Sequence, residues 1–250
     1  MDKILNLPIL ASEGGADTDR LITYVHWLML ALFFGWLAYF LFTLFRFKRN
    51  TNPKADYHGI RSHFSSYLEV VVAGIEAALL ILVAYPVWAR QTSGFPKESE
   101  ATVIQVVGQQ FAWNARYPGK DAAFGKQDMA RVAESNLFGV DPNDPNGKDD
   151  VQVLNELHVP VNKPVICYIS SKDVIHSFRL MAMRVTQDAI PGMRIPIWFI
   201  PNKVGQFQIY CAQLCGNGHA AMAGGRLVVE SQSAYDQWLG SKSGGATSFE

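Results

Sequence analysis

Cysteine is scarce in this 250-residue chain: Cys167, Cys211 and Cys215 are too few for a disulfide framework. An excess of charge is also missing, because 22 basic and 22 acidic residues give a formal net charge of zero. That argues against the broad basic footprint of a nucleic-acid-binding surface, so no nucleic acid is expected as a partner. No internal repeat is visible. No cysteine lies near the N-terminus, so lipid attachment is not expected. From Leu21 to Phe45 there is no Asp, Glu, Lys or Arg at all. An ordinary amphipathic surface helix cannot tolerate that absence, because it needs a polar face.

What is present starts with that run. About 25 residues at a rise of 1.5 Å each make a helix that crosses a hydrocarbon core of roughly 30 Å with some tilt. Its tryptophans and tyrosines suit the interfacial belts. It is too long for a signal-peptide core and is followed by basic residues, not a cleavage site. A second run from Tyr67 to about Trp88 is also long enough to cross, with Pro86 near its exit. Arg46, Lys48, Arg49, Lys54 and Arg61 lie between the runs, against only Lys3 and Arg20 ahead of the first. The positive-inside rule therefore places the connection in the cytoplasm and both termini outside.

From about Ala101 the pattern changes. Short β-branched and aromatic runs (TVIQVVGQQFAWNARY, VQVLNELHVPVN, PVICYIS, RIPIWFI, QFQIYC, GRLVVE) alternate with turn residues at intervals of roughly ten, which predicts an all-β sandwich or small barrel. Lys120 to Asp150 is polar and rich in Asp, Gly, Asn and Pro, and reads as a long surface excursion. The expected architecture is an α+β membrane protein. Residues 1–20 form an outer tail, 21–90 a two-helix transmembrane hairpin, 91–240 an all-β sandwich, and 241–250 a flexible, frayed end.

The chemistry concentrates in Cys211-Ala-Gln-Leu-Cys215-Gly-Asn-Gly-His219-Ala-Ala-Met222. Upstream stands Asp173-Val-Ile-His176-Ser. Cys, His and Met together are the ligand set of copper electron-transfer sites, whereas zinc favours a closed tetrahedron without Met. One cysteine suffices for a mononuclear site; a second, four residues on, with two histidines, supplies bridging thiolates for a pair. Taken singly, Cys211–Cys215 reads equally well as a disulfide, His176 as a strand-end histidine, and Met222 as core filler. Cys167, in the apolar run Val165 to Ile169, reads as a small buried hydrophobe.

The loop resembles the copper A motif, C-x-E-x-C-G-x-x-H-x-x-M, of subunit II of the haem–copper oxidases. The resemblance extends to the hairpin, the Asp-Val-Ile-His-Ser entry, Asp188-Ala-Ile-Pro-Gly192 and Gln110-Phe-Ala-Trp113. It implies a cupredoxin-like fold and a dinuclear copper centre. Cys211 and Cys215 would bridge, His176 and His219 would be terminal ligands, and Met222 and the Gln213 carbonyl weak ones. It also implies partners: subunit I with haem and copper, subunit III, the lipid membrane, and cytochrome c or the haem domain of a quinol-oxidising donor such as alternative complex III.

Two positions depart from the family. Gln213 stands where a Glu usually reaches an interface magnesium, and a neutral amide is a poorer ligand for that hard ion, so magnesium is not expected on it. Phe111 replaces the usual tryptophan of electron entry, with Trp113 two residues on and expected on the same strand face. In the spans, Glu69 reads either as a helix-start acid or, by resemblance, as the entrance of a proton channel. Glu76, two turns deeper, implies a protein partner, because an acid in hydrocarbon is costly. Asp173 is a further interface candidate, and His26 reads as interface packing. The rival readings are a membrane-anchored mononuclear cupredoxin-type carrier, a copper-free quinol oxidase subunit, which lacks the ligands present here, and the copper domain of nitrous oxide reductase, which is soluble.

Overall fold

The computed structural model describes residues 2–54, 57–59 and 62–243, so Arg61 of the basic connection and residues 244–250 of the expected tail lie outside it. The chain divides into two units, Met1–Asn6 with Asp17–Arg90, and Leu7–Ala16 with Gln91–Glu250.

The first unit is helical. After a short turn of helix, α1 (Asp2–Leu5), helix α2 runs over Gly15–Arg46. Helix α3 (Phe64–Leu79) passes through a π-turn at Leu80–Ala84 into α4 (Tyr85–Ser93), making one continuous 30-residue rod. The π-turn has a local cause. Pro86 brings no N–H and its ring crowds the carbonyl four residues back, so the ladder loosens just before it. Both rods are long and apolar enough to span a bilayer, and both exceed the apolar runs because polar turns extend them. Asp17, in the first turn of α2, pairs with Arg90 of α4 at 3.1 Å.

The second unit is a sandwich of two five-stranded sheets. One has the order β3-β2-β1-β5-β8 and the other β4-β10-β9-β6-β7. The strands are β1 (Thr102–Gln109), β2 (Ala112–Tyr117), β3 (Val151–Leu154), β4 (Glu156–Pro160), β5 (Val165–Ser171), β6 (His176–Leu180), β7 (Val185–Ala189), β8 (Ile195–Phe199), β9 (Gly205–Cys211) and β10 (Gly225–Glu230). Alternation builds the core. Ile104 and Val106, Trp113, Ala115 and Tyr117, and Val165, Cys167 and Ile169 point inward from the first sheet. Leu157, Val159, Phe178, Leu180, Ile209, Leu227 and Val229 meet them from the second.

The outer face of β1 and β2 is buried too, because the excursion lies over it. Arg116 donates to Asp150, to Gln105 Oε1 (3.2 Å) and to the Gly125 carbonyl (2.9 Å). Asp128 and Asp144 cap its two 3₁₀ turns at Met129–Arg131 and Pro145–Gly147.

Three elements escape the sequence pattern. β6 and β7 are five residues each, and their outward positions Arg179, Thr186 and Asp188 interrupt the apolar signal. Helix α5 (Gln232–Lys242) is capped by Ser231 and continues past Ser241, where fraying was expected to begin. It is held by Trp238, whose ring stacks on His158 at 4.1 Å and meets Tyr117 edge-on at 5.0 Å. Residues Leu7–Ala16 lie against the sandwich, with Ala11 N–H donating to the Ala182 carbonyl (2.8 Å).

Candidate metal centre

Strand pairing brings the two halves of the site together. β6 starts at His176 and β9 ends at Cys211, and the two strands pair antiparallel with Phe178 opposite Cys211. The chain then turns through Ala212–Gly218 and a 3₁₀ segment, His219–Gly224, before re-entering the sheet as β10. His176, Cys211, Cys215, His219 and Met222 therefore sit at one rim of the second sheet.

The Sγ atoms of Cys211 and Cys215 are 3.9 Å apart. That is well beyond the roughly 2.05 Å of a disulfide, and both thiols are free. Around Cys211 Sγ stand His176 Nδ1 at 4.0 Å and the Gln213 carbonyl at 3.0 Å. Around Cys215 Sγ stand His219 Nδ1 and Met222 Sδ, each at 3.4 Å. The six donors thus form two sets of three, one about each sulfur. Among the described residues His176, Cys211 and Cys215 form a cluster able to hold a metal ion. Two thiols, two imidazoles and a thioether are soft donors, and they fit copper better than zinc, calcium or magnesium.

The protein orients these groups before any metal binds. His176 is fully buried, and its Nε2 lies 2.8 Å from Asp173 Oδ1, which leaves Nδ1 turned toward Cys211. Burial alone would raise the Asp173 carboxyl, but the Gln110 amide, the His176 ring and the Val174 amide outweigh it and hold it below its ordinary value. Trp113 backs the ring edge-on at 6.0 Å. Gly108 makes the room: a Cβ there would come within 2.9 Å of His176 Cδ2 and 3.1 Å of the Trp113 ring. Burial, with Cys211 beside it, pushes the Cys215 thiol up to about 11. Thiolate ligation must therefore displace a proton, and metal binding releases protons. Cys167 stays apart in β5, its thiol pushed up to about 12 by burial.

One expectation is corrected. Phe111 and Trp113 do not share an exposed strand face. Gln110 and Phe111 are the two-residue tip of the β1–β2 hairpin, joined by a cis peptide, and the strand resumes only at Ala112. Trp113 is fully buried between His176 and Phe178, while half-buried Phe111 lies over Gly216 and Gly218. Leu214, in the turn between the two cysteines, is an exposed apolar side chain, at 80% exposure. Gln213 presents its side chain to solvent. Glu69 and Glu76 lie on α3, both exposed on the isolated chain, and His26 Nδ1 lies 2.8 Å from the Ile22 carbonyl of its own helix. Gln110 and Gly108 touch the site, although neither was singled out as a site residue from the sequence. Only the glycine inside an apolar strand run signalled a close approach.

Comparison with known proteins decides the family. The family model described as cytochrome c oxidase subunit II, periplasmic domain, matches residues 102–231. The chain belongs to the cytochrome c oxidase subunit II family. It is 33% identical over 233 residues to the alternative cytochrome c oxidase subunit 2 of Bradyrhizobium diazoefficiens, covering 93% of this chain and 82% of that one. It is 29% identical to cytochrome c oxidase subunit 2 of Cereibacter sphaeroides, covering 89% and 77%. Among solved structures, the periplasmic domain of subunit II of the Bradyrhizobium japonicum cytochrome oxidase is 31% identical. It aligns over 59% of this chain and 95% of that one, with a TM-score of 0.43. As a member of the subunit II family, the chain is an oxidoreductase subunit of a terminal oxidase, anchored by two helices and carrying a copper A-type domain.

Proposed function

We propose that this subunit II takes electrons from cytochrome c, or from a haem domain of a donor complex such as alternative complex III, at a dinuclear copper A site. It passes them to haem in subunit I, where oxygen is reduced to water with proton translocation. Subunit III completes the assembly. The observation that carries this reading is the gathering of six donors in two sets about a sulfur pair 3.9 Å apart. Copper, when bound there, supplies a one-electron couple shared over two metals.

The chain's own residues do the rest. Cys211, Cys215, His176 and His219 would hold the copper, with Met222 and the Gln213 carbonyl as further donors. Asp173 and Trp113 fix the His176 ring, so little need move when the charge changes. Phe111 at the rim, with buried Trp113 behind it, is the aromatic route for electron entry. Placement of the sandwich and both termini on the periplasmic side of a bacterial plasma membrane is supported by the basic connection between the spans. Magnesium is not held by the Gln213 side chain, which is a neutral amide. Glu69 serves the entrance of a proton path, and Glu76 and Asp173 face neighbouring subunits; unchanged proton uptake in Glu69→Gln would remove the first of these roles.

The reading is tested in the assembled oxidase with Cys215→Ser. The expected result is loss of donor-driven oxygen consumption while the haem spectrum of subunit I is retained. Turnover equal to wild type would overturn it.

A further inference from the structure

Gln110 lies outside the ligand set, yet it touches both loops that carry it. Its backbone N–H donates to Asp173 Oδ2 at 2.7 Å, and the other oxygen of that carboxylate holds His176. Its side-chain Nε2 lies 2.6 Å from the Cys215 carbonyl. A carbonyl only accepts, so the amide nitrogen must face it. Cys215 and Gln110 are 105 residues apart, so this bond is a tertiary tie between the β1–β2 hairpin tip and the β9–β10 loop.

The loop is shaped to let that tip approach. Gly216 has φ +137°, and a Cβ there would come within 2.7 Å of Gln110 Nε2. At Gly218 a Cβ would come within 2.3 Å of the Phe111 ring. Side chains at either glycine would push the hairpin tip off the ligand loop.

We infer that Gln110 is a positioning residue for the metal centre: through one backbone and one side-chain hydrogen bond it sets the Cys215 loop against the Asp173–His176 pair. This rests on the copper reading above. Replacing Gln110 with another non-proline residue removes the side-chain bond and keeps the backbone N–H. Without the side-chain bond the Cys215 carbonyl loses the Gln110 donor, and among the described residues the loop keeps the Gly216 and Gly218 contacts with the Phe111 ring. The two sulfurs then no longer keep a fixed separation, and two coppers bound between them become inequivalent.

The test uses the copper-loaded full-length chain in detergent, comparing wild type with Gln110→Met and Gln110→Glu. Both replacements are close to glutamine in length, and neither donates a hydrogen bond at neutral pH. Copper release to a chelator and the electron paramagnetic resonance spectrum are read on all three. Both variants are expected to release copper roughly fivefold faster, the factor of one lost hydrogen bond, and to show unequal copper hyperfine couplings. The unfolding midpoint of the metal-free chain should stay within a few degrees of wild type. If Gln110 only fills space, both variants will match wild type in spectrum and release rate, and the inference fails. A wild-type chain that takes up no copper pair overturns the copper reading itself, and this inference falls with it.

Discussion

Asp150→Ala should be among the most damaging single substitutions outside the metal centre. Arg116 and Asp150 form an ion pair whose side chains are 0% and 2% exposed, beneath the excursion and above β1 and β2. Asp150 Oδ2 accepts from Arg116 Nε and Nη2 and from the Gly125 N–H, while among the described residues its Oδ1 has no hydrogen-bond partner. Removing the carboxylate leaves a guanidinium buried with the Gln105 and Gly125 oxygens and the Phe124 ring, and stranding one charge of a buried pair costs about 3–5 kcal/mol. For a chain of this size about 1 kcal/mol moves the midpoint by roughly 2–4 °C, so the loss is roughly 6–20 °C. Arg116→Met with Asp150→Leu removes both charges and should lie within about 1 kcal/mol of wild type or above it, since apolar replacements of buried pairs are often neutral or stabilising. The assay is thermal unfolding of the full-length chain in detergent, followed by near-ultraviolet dichroism, which reports Trp113, Trp198 and Trp238 of the sandwich. A single variant costing less than about 1 kcal/mol, or a double variant worse than either single one, would refute the reasoning.

Two further outcomes follow from local geometry. Gly108→Ala should displace the His176 ring, because its Cβ would come within 2.9 Å of it. Altered copper hyperfine structure with little change in the cysteine bands would show this, and an unchanged spectrum would contradict it. Asp144 has its carboxyl held below the ordinary value, first by the Lys126 amide at 2.6 Å. A depressed folded-state value means that its contribution is present above the ordinary carboxylate range and is lost as pH falls through the lowered value. Protection of the Lys126 amide, taken relative to the intrinsic exchange rate at each pH, should therefore fall on acidification in wild type and already be low at neutral pH in Asp144→Ala; equal protection in both would contradict this.

Much of the site was legible because its chemistry is local. Cys211, Cys215, His219 and Met222 fall within twelve residues, so their joint presence could be read without a fold. His176 lies 35 residues away from Cys211; its residue type made it a candidate ligand, and the β6–β9 pairing placed it beside them. Gly108, the Gln110–Cys215 bond and the Asp173–His176 bond were hidden, because each acts through a tertiary approach that no spacing records. Trp113 misled for a different reason. A continuous β-like run from Thr102 to Tyr117 conceals a two-residue hairpin tip, and crossing that tip breaks the alternation that puts residues 111 and 113 on one face. The apolar spans and the β-rich character of the remainder were plain from composition. Strands β6 and β7 and helix α5 were not, being short and dependent on partners such as His158 and Tyr117.

The central claim is that two coppers sit between Cys211 and Cys215. Copper analysis combined with electron paramagnetic resonance on the full-length chain tests it most directly. The account predicts two coppers per chain and hyperfine structure from one electron shared over both. One copper with a mononuclear spectrum, or no copper and a Cys211–Cys215 disulfide under metallating conditions, would contradict it.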